Sequence, residues 1–322
     1  MAETLSETLV TRLTDAVDAG FEAQIAFLEA LVRYPSLRGA ERPVQEAFAA
    51  ACSNRGLATE VTPIDLSRLS AHPGASPVTV NYADALTVIA RHTPAQATGR
   101  SLILNGHMDV VPPGPADQWA HPAFEPRREG DWLYGRGAGD MKAGNGAMLA
   151  ALDALAVCGL QPAAPLEIHM VVEEESTGNG AIDALQKGMQ AEAVLIPEPM
   201  DEHLVRANLG VLWFRLSVRG KPVHVRAAGT GANAIEAAMR LVAALRVHEA
   251  AVNAGPRPAA FLNLAHPINL NVGRIAGGDW ASSVPAWAEV DCRFAFWPGQ
   301  PASEAAAAIE AVIAEAAARD PY

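Results

Sequence analysis

The sequence predicts an α/β fold, a mixed sheet packed between helices, followed by a smaller α+β unit. Three observations carry this. The 322 residues exceed one ordinary domain, at ~150 residues each. Short apolar strands alternate with helices as far as Ile196, the pattern of a sheet covered by helices. Beyond Asn208 the order becomes β-α-β-β-α, a ferredoxin-like half-sandwich short of its last strand.

Taken in order, Thr4 to Val32 reads as one or two amphipathic helices, since Phe21, Ile25, Leu28 and Leu31 recur at helical spacing. Tyr34-Pro35-Ser36 stops the run, because a residue before proline is pushed out of helical geometry. The next helix spans Pro43 to Arg55, with proline near its start and Gly56 past its end. Pro63 to Asn81 is rich in Pro, Ser and Gly and reads as loop. Leu86–Arg91 and Ser101–Asn105 are short apolar strands. Val110 to Gly130 contains five prolines and reads as a long loop, which in a compact domain is usually functional. A strand at Trp132–Tyr134 leads through GRGAGD into a helix, Ala143–Val157. Leu166–Val172 is a buried strand, Ala181–Lys187 a helix and Ala193–Ile196 a strand. The second unit has strands at Leu209–Val218, Ile268–Val272 and Trp287–Phe296, and helices at Asn233–His248 and Ala302–Arg319.

Half the residues are hydrophobic and 19% are charged, which excludes a disordered chain. Lys and Arg number 24 against 36 Asp and Glu, a net charge of −12 with no basic block, which excludes a nucleic-acid binder. No apolar run is long enough to span a membrane and the N-terminus lacks signal-peptide character, so a cytoplasmic location is expected. Cys52, Cys158 and Cys292 are isolated and are expected to be buried free thiols.

Four acidic or histidine-bearing segments follow strands. His107 and Asp109, in LNGHMDVVP, lie two apart on one strand face, so His107 can ligate a metal while Asp109 supports its imidazole or a neighbouring group. Asp140 closes GRGAGD; it is either a helix N-cap or a carboxylate aimed at metal by a glycine-rich turn. Glu173, Glu174 and Glu175 follow the strand LEIHMVV, at the sheet end where active sites gather in open α/β folds. Glu198 stands between two prolines in IPEPM. Hard carboxylates with imidazole suit zinc, cobalt or manganese. The glycines fit neither a dinucleotide fingerprint nor a Walker A loop, and no G-x-S-x-G elbow occurs.

GHMDVVP, GRGAGDMK, EEESTGNG and PEP, in this order and spacing, resemble the dinuclear zinc aminoacylase, acetylornithine deacetylase, succinyl-diaminopimelate desuccinylase and glutamate-type carboxypeptidase family. The resemblance runs from about Phe21 to the end of the chain. It implies a zinc-exopeptidase-like (phosphorylase/hydrolase-like) catalytic domain over residues 1–207, and a lid and dimerisation domain over 208–322. It makes His107, Asp140, Glu175 and Glu198 metal ligands, with Asp140 bridging two zinc ions, for which cobalt or manganese could substitute. Glu174 becomes the general acid/base, Asp109 a supporting aspartate, His224 of RGKPVHV a lid histidine usually reaching a partner subunit's site, and Arg293 the group that binds a substrate carboxylate. The implied reaction is hydrolysis of N-acyl amino acids or short peptides through a metal-bound hydroxide, in a homodimer joined through the lid. The family's further zinc-binding histidine and last lid strand lie in a C-terminal segment that the resemblance does not reach, and Ser282-Ser283 stands where relatives carry an asparagine. Two alternatives remain open. One is a truncated, largely inactive member of the same family. The other is a metal-dependent phosphohydrolase, for which Lys142 would be the nearby cation.

Overall fold

A five-stranded sheet organises the first unit. The computed structural model describes residues 5–200 and 203–320. The unit runs α1 (Glu7–Val32), α2 (Arg42–Ser53), β1 (Ala58–Pro63), α3 (Leu66–Ser70), β2 (Leu86–His92), β3 (Leu102–His107), β4 (Arg127–Glu129), β5 (Trp132–Tyr134), α4 (Ala143–Val157), β6 (Leu166–Val171), α5 (Asn179–Lys187) and β7 (Ala193–Leu195). Its sheet order is β1-β2-β6-β3-β7, with β4 and β5 forming a separate hairpin. Pairing is antiparallel for β1/β2 and β2/β6 and parallel for β6/β3 and β3/β7, so the sheet is mixed, as expected.

Every residue of β6 is buried. On one face, Ile168, Met170, Val88 and Leu104 pack against Val44, Phe48 and Cys52 of α2 and Met148 and Leu149 of α4. Burying each such large side chain contributes about 1.5–3 kcal/mol. The other face holds a smaller cluster of Ile64, Leu69, Tyr82 and Val172 with Ile182 of α5. Because β3 and β6 run parallel and pair His107 with Val171, the segments that follow them emerge side by side.

Several boundaries differ from the sequence reading. The N-terminal segment is one helix, capped by the Ser6 side chain; Thr4, where it was expected to begin, lies outside the described residues. The strand β1 went unread because Ala-Thr-Glu-Val-Thr-Pro carries almost no apolar signal. The loops expected at 63–81 and 110–130 contain α3 and β4. Cys52 and Cys292 are buried, but Cys158 is only half-buried; all three are free.

The chain divides into compact units at 202/203, slightly before the expected 207/208. The second unit contains β8 (Gly210–Arg219), α6 (Ala234–Ala254), β9 (Leu270–Gly277), β10 (Trp287–Phe296) and α7 (Ala302–Ala318). Its antiparallel sheet has the order β8-β10-β9. Leu216, Val290 and Phe294 pack with Ala238 and Leu245 of α6 and Ile309 of α7. Asn233 caps α6, accepting from the backbone N–H groups of Ile235 and Glu236. β9 lies later than expected because Gly273 and Gly277, which read as breakers, sit inside it. Among the described residues no helix is long and apolar enough to cross a membrane.

Candidate metal centre

β3 ends on His107, whose ring is 1% exposed. Its Nδ1 faces the Asp109 carbonyl oxygen at 2.9 Å. A carbonyl can only accept, so Nδ1 carries a proton and Nε2 is the ring nitrogen that faces the acids and could ligate a cation. That nitrogen lies 3.2 Å from Asp140, 3.3 Å from Glu198 and 3.7 Å from Glu174. Ligand atoms of His107, Glu174 and Glu198 fall within 4.8 Å of one another, as do those of His107, Asp140 and Glu175. Each acid comes from a different backbone device. Gly137, at φ +75°, starts an irregular turn, Ala138–Lys142, that presents Asp140; the Asp140–Met141 peptide is cis. The cap of α4 is Lys142, so Asp140 is not the helix N-cap. Glu198 is brought in where α4 passes Pro197 so closely that a Cβ on Gly144 would lie 2.2 Å from the Pro197 carbonyl oxygen.

The paired glutamates are set by Asp109. Its carboxylate accepts the backbone N–H groups of Glu174 at 3.3 Å and Glu175 at 3.0 Å. Its oxygen is 3.6 Å from His107 Nδ1, so of the two expected roles it serves the neighbouring segment rather than the imidazole. Glu173, the first of the three acids, belongs to neither candidate group. It is buried and held by Arg38, by the Tyr82 hydroxyl at 2.6 Å and by Thr177 Oγ1 at 2.9 Å.

The electrostatics are those of a site short of a cation. Among the described residues, none of Asp109, Asp140, Glu174, Glu175 and Glu198 forms an ion pair with Lys or Arg. Burial opposes charge on His107, but Asp140 and Glu198, with Asp109 and Glu174 beyond them, push its pKa up to about 11. Burial and then the Asp140 carboxylate push Glu175 up to about 7, against the pull of His107. Glu174 is raised for the same first reason, with Glu198, Asp109 and Asp140 adding to it. A divalent cation would answer this excess of oxygen donors, and the set of one imidazole with several carboxylates suits one.

Of the remaining expected residues, His224 and Arg293 lie in the second unit. His224 is exposed, its Nδ1 accepting the Arg226 N–H at 3.1 Å. Arg293 is exposed on β10, opposite Trp213 of β8, and has no ion-pair partner among the described residues. Asp291, two residues before it, is engaged by Arg215 and Arg274. Lys142 is no phosphate clamp: it is fully buried, its Nζ donates to the Leu31 and Tyr34 carbonyls at 3.0 Å each, and burial brings its pKa down to about 8.

Sequence reasoning missed Asn145. Its amide donates to the His107 carbonyl at 2.6 Å, and a Cβ on Gly106 would lie 2.1 Å from its Oδ1, so the glycine is what lets the two segments approach. The available signal was an asparagine in the first turn of a largely apolar helix, a residue poor in helix propensity.

A family model described as peptidase family M20/M25/M40 matches residues 103–320. The chain is 29% identical over 218 residues to succinyl-diaminopimelate desuccinylase of Acidovorax ebreus (strain TPSY), covering 64% of this chain and 54% of that protein. It is 27% identical over 223 residues to N-formyl-4-amino-5-aminomethyl-2-methylpyrimidine deformylase of Bacillus subtilis (strain 168), covering 65% of this chain and 51% of that protein. The chain thus spans about half the length of the curated relatives it matches. In fold it is similar to the di-peptidase Dug1p from Saccharomyces cerevisiae, with a TM-score of 0.73 at 14% identity over 97% of this chain and 77% of that one. It is also similar to human carnosine dipeptidase 1, with a TM-score of 0.69 at 14% identity over 96% and 77%. The family model covers more than half of the chain, and its match takes in every segment of the His107 cluster: the chain belongs to peptidase family M20/M25/M40.

Proposed function

We propose that this protein is a metal-dependent amidohydrolase acting on N-acyl amino acids or short peptides. The observation that carries the reading is the convergence of Asp140, Glu174 and Glu198 on His107 Nε2 with, among the described residues, no Lys or Arg ion pair to neutralise them. The desuccinylase and deformylase relatives support amides as the bond cleaved. His107, Asp140, Glu175 and Glu198 would hold zinc, two ions in a complete site, with cobalt or manganese as substitutes. When bound, such a cation supplies a Lewis acid for the amide carbonyl and lowers the pKa of water. Glu174 takes a proton from the attacking water and returns it to the leaving amine; burial, which raises its pKa, suits it to that exchange. Asp109 holds the backbone of Glu174 and Glu175 in place. On this reading residues 208–322 form a lid through which two copies pair, His224 stabilises the developing oxyanion and Arg293 binds the substrate carboxylate. Three unpaired cysteines fit a reducing cytoplasm.

The test is a panel of N-succinyl, N-acetyl and N-formyl amino acids and dipeptides. Chelator-sensitive amine release that zinc restores is expected; release unaffected by chelation contradicts the reading. A second reading, one ion held tightly and slow turnover, is favoured by a specific feature: both candidate groups draw on the single ligating nitrogen of His107.

A further inference from the structure

We propose that Arg38 is a positioning residue of this centre: by clamping Glu173 it sets the direction in which Glu174 and Glu175 reach the His107 cluster. The inference rests on reading that cluster as a cation site.

Glu173 is where the chain turns after β6. Its φ of +66° is left-handed, a region that a glutamate rarely adopts without external constraint. Its carbonyl accepts the N–H groups of Ser176, Thr177 and Gly178 at 3.4, 3.0 and 2.8 Å, which folds the segment back on itself. The side chain supplies the constraint. Arg38 grips the carboxylate through Nε and Nη2, the second at 2.7 Å, and the hydroxyls of Tyr82 and Thr177 donate to the same Oε2 as Nη2. Tyr82 is itself fixed by Asn179 Nδ2 at 3.1 Å. A planar guanidinium binding two oxygens fixes orientation as well as distance. Buried and held by three side chains, Glu173 is committed to this clamp and belongs to neither candidate metal group.

Arg38 can act as a reference point because its loop is tied to two other parts of the centre. Ser36 accepts the Val110 N–H at 3.0 Å, and Leu37 pairs with Val110, next to Asp109. Lys142, two residues after Asp140, donates to Leu31 in the last turn of α1 and to Tyr34 at the start of the same loop. One loop therefore joins the His107–Asp109 segment, the Asp140 turn and the glutamate turn. Release of the Arg38 contact frees only the glutamate turn.

The test uses the full chain, with Arg38→Gln and the double variant Arg38→Gln/Glu173→Gln, which leaves no lone buried charge to unfold the protein. Zn2+ affinity is measured by competition with a chromophoric chelator, and amide exchange of Glu174 and Glu175 is followed on the metal-free protein. In both variants Zn2+ affinity should fall ~10–100-fold, the usual cost of losing a residue that orients a ligand. The amides of Glu174 and Glu175 should exchange faster. Tyr82→Phe should give a smaller loss in the same direction. Folded variants whose affinity stays within about twofold of the parent, with unchanged exchange at both amides, would overturn the proposal. If the parent chain binds no Zn2+, the cation-site reading fails, and the exchange measurement alone decides whether Arg38 holds the turn.

Discussion

His107 and His169 are both 1% exposed and both face carboxylates, yet their surroundings have opposite needs. His169 lies on β6 with Glu167 at 2.7 Å. Glu167 also receives Arg91 Nε at 2.7 Å and the Met189 N–H at 2.8 Å, and Arg91 goes on to Glu60 at 2.9 Å. Burial disfavours charge on Glu167, but His169, the Met189 N–H and Arg91 together hold it below the usual carboxylate range. At His107, among the described residues, the acids form no such pair with Lys or Arg, and Glu175 is pushed up to about 7. The contrast teaches what to look for: a histidine among acids is a candidate ligand site where no Lys or Arg pairs with them, and part of a structural network where an arginine does.

The largest expected effect lies on the unanswered side. Glu174→Gln should lower amide hydrolysis by ~10²–10⁴-fold while bound metal is retained, the scale of losing a general base. The rate is read at saturating zinc and the metal by elemental analysis. Loss of metal together with rate would make Glu174 a ligand rather than the base. On the answered side, Glu167→Gln should lower unfolding stability by about 3 kcal/mol, toward the low end for breaking a buried pair because Arg91 keeps Glu60. It should leave Zn2+ affinity unchanged; a parallel loss of affinity would erase the distinction between the two histidines.

The smallest effect is on pH dependence. In the metal-free protein Glu175 and Glu41 are each pushed up to about 7 from a reference of 4.5. For Glu41 the cause is burial, opposed by nearby backbone N–H groups and reinforced by Asp109 and Glu173. A carboxyl whose folded pKa is raised binds the proton better when folded. Its stabilising contribution is full below about 4.5 and lost as pH rises through about 7. His107, raised from 6.5 to about 11, contributes below 6.5 and loses that contribution as pH rises through about 11. Stability of the metal-free chain should therefore fall from about pH 5 to about pH 8. Saturating zinc should remove the share due to Glu175 and His107 and leave that due to Glu41. Urea midpoints across this range, with and without zinc, measure the difference; identical slopes would contradict it.

Much of the centre was legible because its acids follow apolar strands. HMD and EEE stand at the ends of β3 and β6, and the parallel pairing of those strands makes them neighbours. What Asp109 holds was not legible, since its partners lie on another strand's loop. Nor could the sequence tell that Lys142 points into the core or that Lys142, rather than Asp140, caps α4; the turn starts from a left-handed Gly137, whose conformation no periodicity marks. Arg38 and Tyr82 lie outside regular elements, where no periodicity marks a side chain's direction. β1 escaped because a half-exposed edge strand of Thr and Glu lacks apolar alternation.

The most direct measurement of the central claim is the number of divalent ions that stay with the chain after exhaustive dialysis, for the parent, His107→Ala and His169→Ala. The two candidate groups share His107, so the account predicts zinc that stays with the parent chain, is lost in His107→Ala and is kept in His169→Ala. A parent chain that holds no metal, or a His107→Ala chain that holds as much as the parent, would contradict it.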